Sequence, residues 1–282
     1  RDQLTKFNGT ELTYDAMGNP LTYNNGTGMT FTWKKGRELA TAVKGSTTVT
    51  YTYGENGIRI TKTVGSTKHK YNYDGSTLIS EEYGNVIIVY VYGDDGTPIG
   101  YRYRTSSYAA NTFDDYLYLK NMQGDIIKIY SASGTQVAEY VYDAWENAIF
   151  LPGTMANVNP LRYRGYYYDA DTGLYYLQSR YYDPVTGRFI NADDMSNLGA
   201  DGELNGYNLY AYCGNNPVMF VDPSGNAAEW LKWTALAVGA VLTVSAIAVL
   251  ASGVGTATLI GSVAVGAAKG TLIGAATGLL GG

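Results

Sequence analysis

Hydrophobic and polar residues alternate with a period of two along several stretches of the first half of the chain. The clearest examples are residues 49–53, 58–64 and 86–92. Because successive side chains of a β-strand point to opposite faces, this alternation predicts strands with one buried face. Turn sequences such as Asn24-Asn25-Gly26 separate the stretches, as they do in β-hairpins. No segment before residue 226 shows the 3.6-residue period of an amphipathic helix, so the pattern predicts a mainly β protein with antiparallel strands.

A Tyr-x-x-x-Gly motif repeats along the same region. It begins at Tyr14, Tyr53, Tyr92 and Tyr130, at intervals of 38 or 39 residues, with weaker copies between them. The underlying unit of roughly 20 residues has room for two strands and two turns, and such a unit cannot bury its apolar face without its neighbours. Residues 1–160 are therefore predicted to form a long antiparallel sheet that coils on itself, with tyrosine rings paired across strands. The main interpretation of these rings is packing, and the alternative is an exposed carbohydrate-binding surface.

Composition narrows the classes of function. Tyr (28 residues) and Gly (35 residues) are abundant, as expected of strands joined by tight turns. The formal net charge of −5 argues against a nucleic-acid-binding surface. The single cysteine, Cys213, excludes an internal disulfide framework, and the single histidine, His69, gives no basis for a His-dependent triad or a common zinc site. We predict no cofactor and no metal, an exposed strand position for His69, and a buried position for Cys213.

Residues 161–225 form the junction around which the chain is organised. Two near-copies lie there 14 residues apart: Tyr167-Tyr-Asp-Ala-Asp-Thr-Gly173 and Tyr181-Tyr-Asp-Pro-Val-Thr-Gly187. Each is typical of a strand that runs into an Asp-led turn ending in glycine, where the backbone needs a positive φ. The residues between the copies, 174–180, predict one short strand.

The repeats resemble tyrosine-aspartate (YD) repeats, and residues 161–225 resemble the RHS repeat-associated core of RHS proteins and Tc-toxin C components. The resemblance rests on ordered motifs: Arg164-Gly-Tyr-Tyr-Tyr-Asp169, Thr172-Gly-Leu-Tyr-Tyr176, Ser179-Arg-Tyr-Tyr-Asp-Pro184, Thr186-Gly-Arg-Phe-Ile190, Asn208-Leu-Tyr-Ala-Tyr212, Asn215-Asn-Pro217 and Asp222-Pro-Ser-Gly225. It implies a hollow shell made of a spirally wound β-sheet, a core that plugs one end of the shell, and a variable C-terminal toxin held inside.

The resemblance also implies self-cleavage by an aspartyl protease just after the second Asp-Pro-x-Gly of the core. Asp222 matches the second family aspartate, Asp193 the first, and Arg188 an arginine that orients or charge-balances the pair. Two carboxylates that share a proton provide one base and one acid around an attacking water. This chain departs from the family at Asp194, where the first motif has proline, and at Asn226, where a large apolar residue usually precedes the scissile bond.

The interval of 29 residues from Asp193 to Asp222 is longer than the usual family spacing. Residues 198–204 are interpreted as a loop insertion that accounts for the difference. Aspartates in Asp-Pro and Asp-x-x-Gly contexts are also ordinary turn formers. The residues themselves therefore leave two interpretations of the pair open, a protease dyad and two structural turns.

The C-terminal tail differs sharply from the rest of the chain. Residues 234–268 carry no charge, and residues 234–251 are apolar enough, and nearly long enough, to cross a bilayer as a helix. Residues 230–233 include two tryptophans and a lysine, as interfacial segments do. From Gly266 to Gly282 a glycine recurs every fourth residue, which is typical of close helix contacts in membranes. The predicted helical hairpin has three interpretations: a membrane-inserting or pore-forming segment, a weakly folding linker inside the shell, and a soluble packed hairpin.

The sequence thus predicts a YD-repeat sheet at 1–160, an RHS core at 161–225 and a hydrophobic helical segment at 226–282. The leading hypothesis is a fragment of a toxin carrier whose shell encapsulates a C-terminal toxin and releases it by self-cleavage. Its predicted partners are that toxin, an immunity protein and, through residues 234–282, a membrane, and its predicted location is secreted or at the cell surface. The alternatives are a cell-surface YD-repeat protein that binds carbohydrate or a partner without catalysis, and a glycine-zipper pore-forming tail.

Overall fold

The computed structural model describes residues 2–143, 145, 147–151, 153–195, 207–226 and 229–230. Nearly all of the regular structure in these ranges is β. No α-helix occurs among them, and short 3₁₀ turns lie at Tyr163–Gly165 and Cys213–Asn215. The predicted mainly β fold with antiparallel strands is confirmed.

The strands are short and are joined mostly by tight turns, as the spacing of the turn sequences predicts. In chain order they are β1 (Lys6–Phe7), β2 (Thr10–Glu11), β3 (Thr13–Tyr14), β4 (Pro20–Asn24), β5 (Gly28–Lys34), β6 (Glu38–Lys44), β7 (Thr47–Tyr53), β8 (Arg59–Val64), β9 (Thr67–Asp74), β10 (Thr77–Tyr83), β11 (Val86–Tyr92), β12 (Pro98–Thr105), β13 (Asp114–Lys120), β14 (Ile126–Ser131), β15 (Gln136–Tyr142), β16 (Ala148–Leu151), β17 (Tyr167–Asp169), β18 (Leu174–Leu177), β19 (Arg180–Asp183), β20 (Arg188–Phe189), β21 (Phe220–Val221) and β22 (Glu229–Trp230).

Strands β3 to β10 form an antiparallel sheet in which each strand pairs with the next one in the chain. Alternation decides which side chains are buried. In β5, Met29 and Phe31 are buried between exposed neighbours, and in β7 the same holds for Val49 and Tyr51. Gly45 adopts a φ of +60° in the two-residue turn between β6 and β7, which is the conformation that such hairpin turns require.

Strand β8 departs from the alternation that its sequence indicates. Ile60 is 41% exposed, whereas Arg59 and Lys62 are almost fully buried. The pairing of β7 with β8 contains a register shift at this point, and the carboxylate of Asp169 from the core forms ion pairs with both cations. Because Asp169 lies 110 residues from Arg59 in the chain, the local pattern of β8 could not reveal this burial.

The chain divides into two compact units. The first comprises the described parts of Arg1–Ile87, Tyr142–Ala148 and Tyr166–Leu231, and the second comprises those of Ile88–Val141 and Ile149–Gly165. Most of the core region thus packs in the same unit as the first repeats. The division at residues 160 and 225 follows sequence motifs and stays a prediction.

The second unit contains an antiparallel sheet of β12 to β15, again paired in chain order. Tyr101 stacks on its cross-strand partner Tyr116 with ring centroids 5.0 Å apart, a pair of the kind that the repeats predict. The hydroxyl of Tyr118 donates to Oδ1 of Asn159 at 2.6 Å, and both residues are buried. The tyrosines of this unit therefore contribute both ring packing and satisfied hydrogen bonds.

In the first unit, β17 to β20 form a four-stranded antiparallel core sheet. Every residue of β18 and β19 is buried. Tyr51 and Tyr71 of the repeats pack against Tyr181 and Tyr167 of this sheet, with centroids 5.7 and 5.4 Å apart. These repeat tyrosines are buried, so here their rings serve packing.

Two predicted features lie outside the described residues. They are the loop insertion at 198–204 and the tail at 231–282 with its helical hairpin and glycine steps, and both stay predictions. In the part of the chain that the structure describes, no helix is long and apolar enough to cross a membrane.

Candidate functional site

Arg180 begins the buried strand β19 and is only 4% exposed. A buried guanidinium needs acceptors for its N–H groups, because burial of an unpaired charge costs several kcal/mol or more. Nη1 donates to the carbonyl of Leu209 at 3.1 Å, and Nε donates to the carbonyl of Gly225. The guanidinium carbon lies 3.6 Å from the centroid of the Phe189 ring. The remaining nitrogen, Nη2, faces two carboxylates.

These carboxylates are Asp193 and Asp222, the two aspartates that the resemblance places in a protease pair. Oδ2 of Asp193 lies 2.9 Å from Nη2 of Arg180, and Oδ2 of Asp222 lies 3.5 Å from the same nitrogen. The aspartates are 7% and 1% exposed. One guanidinium thus brings two buried carboxylates together although they belong to distant parts of the core sequence.

The surroundings of Asp222 favour a proton on its carboxyl group. Burial raises the pKa of Asp222 to about 6, although Arg180 and backbone N–H groups oppose the shift. Those N–H groups belong to Gly225 and Asn226, which donate to Oδ1 at 2.8 and 3.1 Å. Burial also lowers the pKa of Arg180, to about 10. At mildly acidic pH, Asp222 therefore holds a proton while Arg180 stays positively charged.

The segment that follows Asp222 is fixed against the turn between β18 and β19. The backbone N–H and the hydroxyl of Ser179 both donate to the carbonyl of Ser224, at 3.2 and 2.8 Å. Gly225 has a φ of +73°, and a Cβ there would clash with the carbonyl oxygen of Leu177. Only glycine fits this conformation and this close approach. The peptide is therefore held beside Arg180 and the two aspartates.

Arg188, the predicted third member of the site, lies in β20, the strand next to β19. Its Nη2 donates to the carbonyl of Asp2, and its guanidinium carbon lies 5.1 Å from the centroid of the Tyr210 ring. The arginine beside the aspartates is Arg180. It belongs to the quoted motif of residues 179–184, and the signal that could have revealed it is a lone cation inside a strand that is otherwise buried.

A second group of buried charges joins the repeats to the core. Arg59 donates to both carboxylate oxygens of Asp169, and Nζ of Lys62 lies 3.0 Å from Asp169 and 3.1 Å from Asp171. Burial by itself would raise the pKa of Asp169, but the two cations hold it below its usual value. Tyrosine rings surround the Arg59 guanidinium with centroids 4.3 to 5.9 Å away: Tyr51, Tyr71, Tyr167, Tyr176 and Tyr181. We assign this cluster a structural role.

The prediction of an exposed His69 is wrong. The side chain is 15% exposed, and its Nδ1 lies 2.6 Å from Oε1 of the buried Glu81. Its ring stacks on that of Tyr83, the cross-strand partner in β10, with centroids 4.3 Å apart. Both partners come from pairing across the sheet, which the sequence around His69 does not contain. Cys213 is buried, as predicted.

No group of three or more His, Cys, Asp or Glu side chains that could hold a metal ion occurs within the described ranges. The arrangement at Arg180 instead offers acid–base chemistry: two inequivalent carboxylates, a fixed cation and an immobilised peptide.

Comparison with known proteins places the chain in a family. The sequence profile of the Teneurin YD-shell family matches residues 1–218. The chain belongs to the teneurin YD-shell family. The predicted identity as an RHS/YD-repeat protein is confirmed by this match and by a toxin relative.

This YD-shell chain is similar to sections of much longer proteins. It is 38% identical over 233 residues to the tRNA nuclease WapA of Bacillus subtilis (strain 168), a match that covers 80% of this chain and 9% of that protein. It is 39% identical over 85 residues to the toxin protein Tse5 of Pseudomonas aeruginosa, covering 30% of this chain and 6% of that protein.

Among solved structures, the crystal structure of TcdB2-TccC3-Cdc42 contains a chain with a TM-score of 0.61 and 21% identity. The match covers 82% of this YD-shell chain and 11% of that chain. A likeness at this identity concerns the fold alone, and it supports the β architecture described above.

Proposed function

We propose that this YD-shell chain is part of a toxin carrier that cleaves itself between Asn226 and Ala227 by means of Asp193 and Asp222. The observation that carries the proposal is the position of Arg180, which binds both carboxylates and the carbonyl of Gly225 at the same time. If Asp222 only formed a structural turn, its hydrogen bonds from the backbone N–H groups of Gly225 and Asn226 would be sufficient. A second buried carboxylate beside it is what an aspartyl pair requires.

The two aspartates have different roles in this proposal. Asp193, which is 2.9 Å from Arg180, is the base and takes a proton from the attacking water. The water oxygen adds to the carbonyl carbon of Asn226. Asp222, with its pKa of about 6, protonates the nitrogen of Ala227 as the C–N bond breaks. The products are a carboxylate on Asn226 and an amine on Ala227.

Arg180 has two tasks in the same reaction. Its Nη2 binds the carboxylate of Asp193, and its Nε holds the carbonyl that precedes the reacting residue. A peptide fixed in this way needs little further ordering to react, which lowers the entropic part of the barrier. Arg180 therefore acts as the positioning group of the site.

The remaining parts of the hypothesis rest on family membership. Residues 1–160 belong to a spirally wound shell, residues 161–225 form its plug, and residues 226–282 lead towards the toxin. The cargo is a toxin because the toxin protein Tse5 is among the relatives. An immunity protein protects the producing cell, and the carrier is secreted or lies at the cell surface. Membrane insertion by residues 234–282 is a separate proposal for the tail.

Cleavage in ¹⁸O-labelled water tests the chemistry. The wild-type chain should yield a fragment ending at Asn226 that carries one ¹⁸O atom in its new carboxylate, while Asp193→Asn stays intact. A fragment without the label, or a variant that is still cut, would contradict hydrolysis by the aspartyl pair.

A further inference from the structure

A cavity of about 350 Å³ lies beside the proposed cleavage site, between the β5–β6 turn and the segment after Asp222. Most of its exposed lining surface is apolar, and its polar lining residues include the one that directly precedes the proposed scissile bond: Arg37, Glu38, Asn56, Gln178, Tyr181 and Asn226. The repeats therefore contribute walls to a space that the core peptide borders.

Glu38 borders the cavity and has one carboxylate oxygen without a hydrogen-bond donor in the part of the chain that the structure describes. Its Oε2 is buried and makes no hydrogen bond to any residue in the described ranges. Its Oε1 lies 3.8 Å from Nζ of Lys35, which is 66% exposed. The guanidinium of Arg37 contacts other groups. Its Nη1 donates to the carbonyl of Ala192, and its Nη2 lies 3.9 Å from Oδ2 of Asp194. A buried carboxylate oxygen without a donor is costly, and such groups are commonly linked to function.

Asn226 provides the matching donor. Its side-chain amide carries two N–H groups, and its backbone N–H is held by Asp222 at 3.1 Å. The side chain is exposed and borders the cavity. We propose that the cavity is the subsite for the side chain of residue 226, and that Glu38 accepts a hydrogen bond from the Asn226 amide when the peptide is positioned for cleavage. The inference rests on the proposed self-cleavage and names its specificity determinant.

The proposal gives a physical reason for asparagine at this position. A large apolar side chain would leave the buried Oε2 of Glu38 without the donor that asparagine supplies. An aspartate would place a second negative charge beside Glu38, which is worse still. Glu38 therefore favours a side chain that donates a hydrogen bond.

Self-cleavage of the full chain, followed by intact mass after refolding, tests this specificity. We expect Asn226→Leu to slow cleavage at least tenfold and Asn226→Asp to slow it further. Glu38→Met should also slow the wild-type sequence, whereas Glu38→Gln, which keeps an acceptor oxygen, should cleave within about threefold of wild type. In the Glu38→Met background, Asn226→Leu should slow cleavage less than twofold. That background lacks the Glu38 carboxylate, so the loss of the Asn226 donor no longer leaves an acceptor unpaired.

Cleavage of Asn226→Leu at the wild-type rate would overturn the inference while leaving self-cleavage intact. An equal loss of cleavage rate on Asn226→Leu substitution in the wild-type and the Glu38→Met backgrounds would also overturn the inference. If the wild-type chain is not cut at all, self-cleavage fails, and the contact is decided by NMR of the ¹⁵N-labelled chain. The side-chain amide signal of Asn226, identified by its loss in Asn226→Leu, should shift in Glu38→Met. An unchanged signal would refute the contact.

Discussion

The guanidinium of Arg59, in the repeats, is fully buried against the carboxylate of Asp169, in the core. Lys62 shares that carboxylate. If Arg59 or Asp169 moved away, the other would remain as a buried charge without its counterion, which is costly. The pair therefore joins the core sheet to the repeats, and Arg180 begins strand β19 of that sheet.

Loss of Arg59 should destabilise the protein strongly. Arg59→Met leaves Asp169 with a single cation, and removal of one partner of a buried pair costs about 3–5 kcal/mol. Arg102→Met is the matched control, because its pair with Asp115 is 48% and 37% exposed and such pairs contribute less than about 1 kcal/mol. Thermal unfolding followed by circular dichroism measures both. Equal losses of stability in the two variants would show that the buried ion pair contributes no more than the exposed one.

The fold was largely predictable from local patterns, because alternation and turn residues act over a few positions. Strands β5 and β7 bury the residues that their alternation indicates. Strand β8 does not bury the residues that its alternation indicates. Its Arg59 and Lys62 are buried because they pair with Asp169, which is distant in sequence and close only in the folded chain. His69 shows the same limit, as its partner Glu81 lies on the neighbouring strand.

The rate of self-cleavage should depend on the proton of Asp222. Because its pKa is about 6, the carboxyl group is protonated below that pH and ionised above it. As the proposed general acid it is active when protonated, so the rate should fall about tenfold per pH unit above pH 6. Refolding at pH 5, 6, 7 and 8 with timed mass spectra measures this dependence. A rate that increases above pH 6 would indicate that Asp222 acts as a base.

The choice between two arginines is directly testable. Arg180→Gln removes the cation that binds both aspartates and should slow cleavage by about 10²–10³. Arg188→Gln removes a side chain that contacts Tyr210 and the carbonyl of Asp2, and it should change the rate less than threefold. Gel quantification of the cut fraction compares the two. The opposite ranking would favour the role that the family resemblance gives to Arg188.

The aspartates and the arginine differ in how far sequence could identify them. Asp222 lies in an Asp-Pro-x-Gly motif that the chain retains, and Asp193 occupies the aspartate position of a first copy in which Asp194 replaces the proline. Sequence offers only one signal for Arg180, a lone cation in an otherwise buried strand, because its role depends on Asp193, Asp222 and Gly225 meeting in space. Arg188 and Arg180 are equally plausible in the linear sequence, and only packing separates them.

Gly225 should tolerate no side chain. Gly225→Ala introduces a Cβ that clashes with the carbonyl of Leu177 and lies 2.8 Å from Oγ of Ser179, so the peptide should leave Arg180. Gly57→Ala is the control, because Gly57 has a similar φ of +75° but open space around its Cβ. Both variants place a Cβ on a residue with positive φ, which costs about 1–2 kcal/mol of stability. Gly225→Ala should in addition lower the cleavage rate at least tenfold. If both variants cleave equally, the close approach at Gly225 is not needed.

The central claim is that Asp222 is catalytic, and intact mass of the wild-type chain and of Asp222→Asn tests it most directly. Asparagine keeps the shape and the acceptor for the N–H groups of Gly225 and Asn226 but removes the carboxylic acid proton. We predict two wild-type fragments that meet at Asn226 and Ala227, and a single full-length mass for the variant. A full-length mass for both proteins, or two fragments from both, would contradict the account.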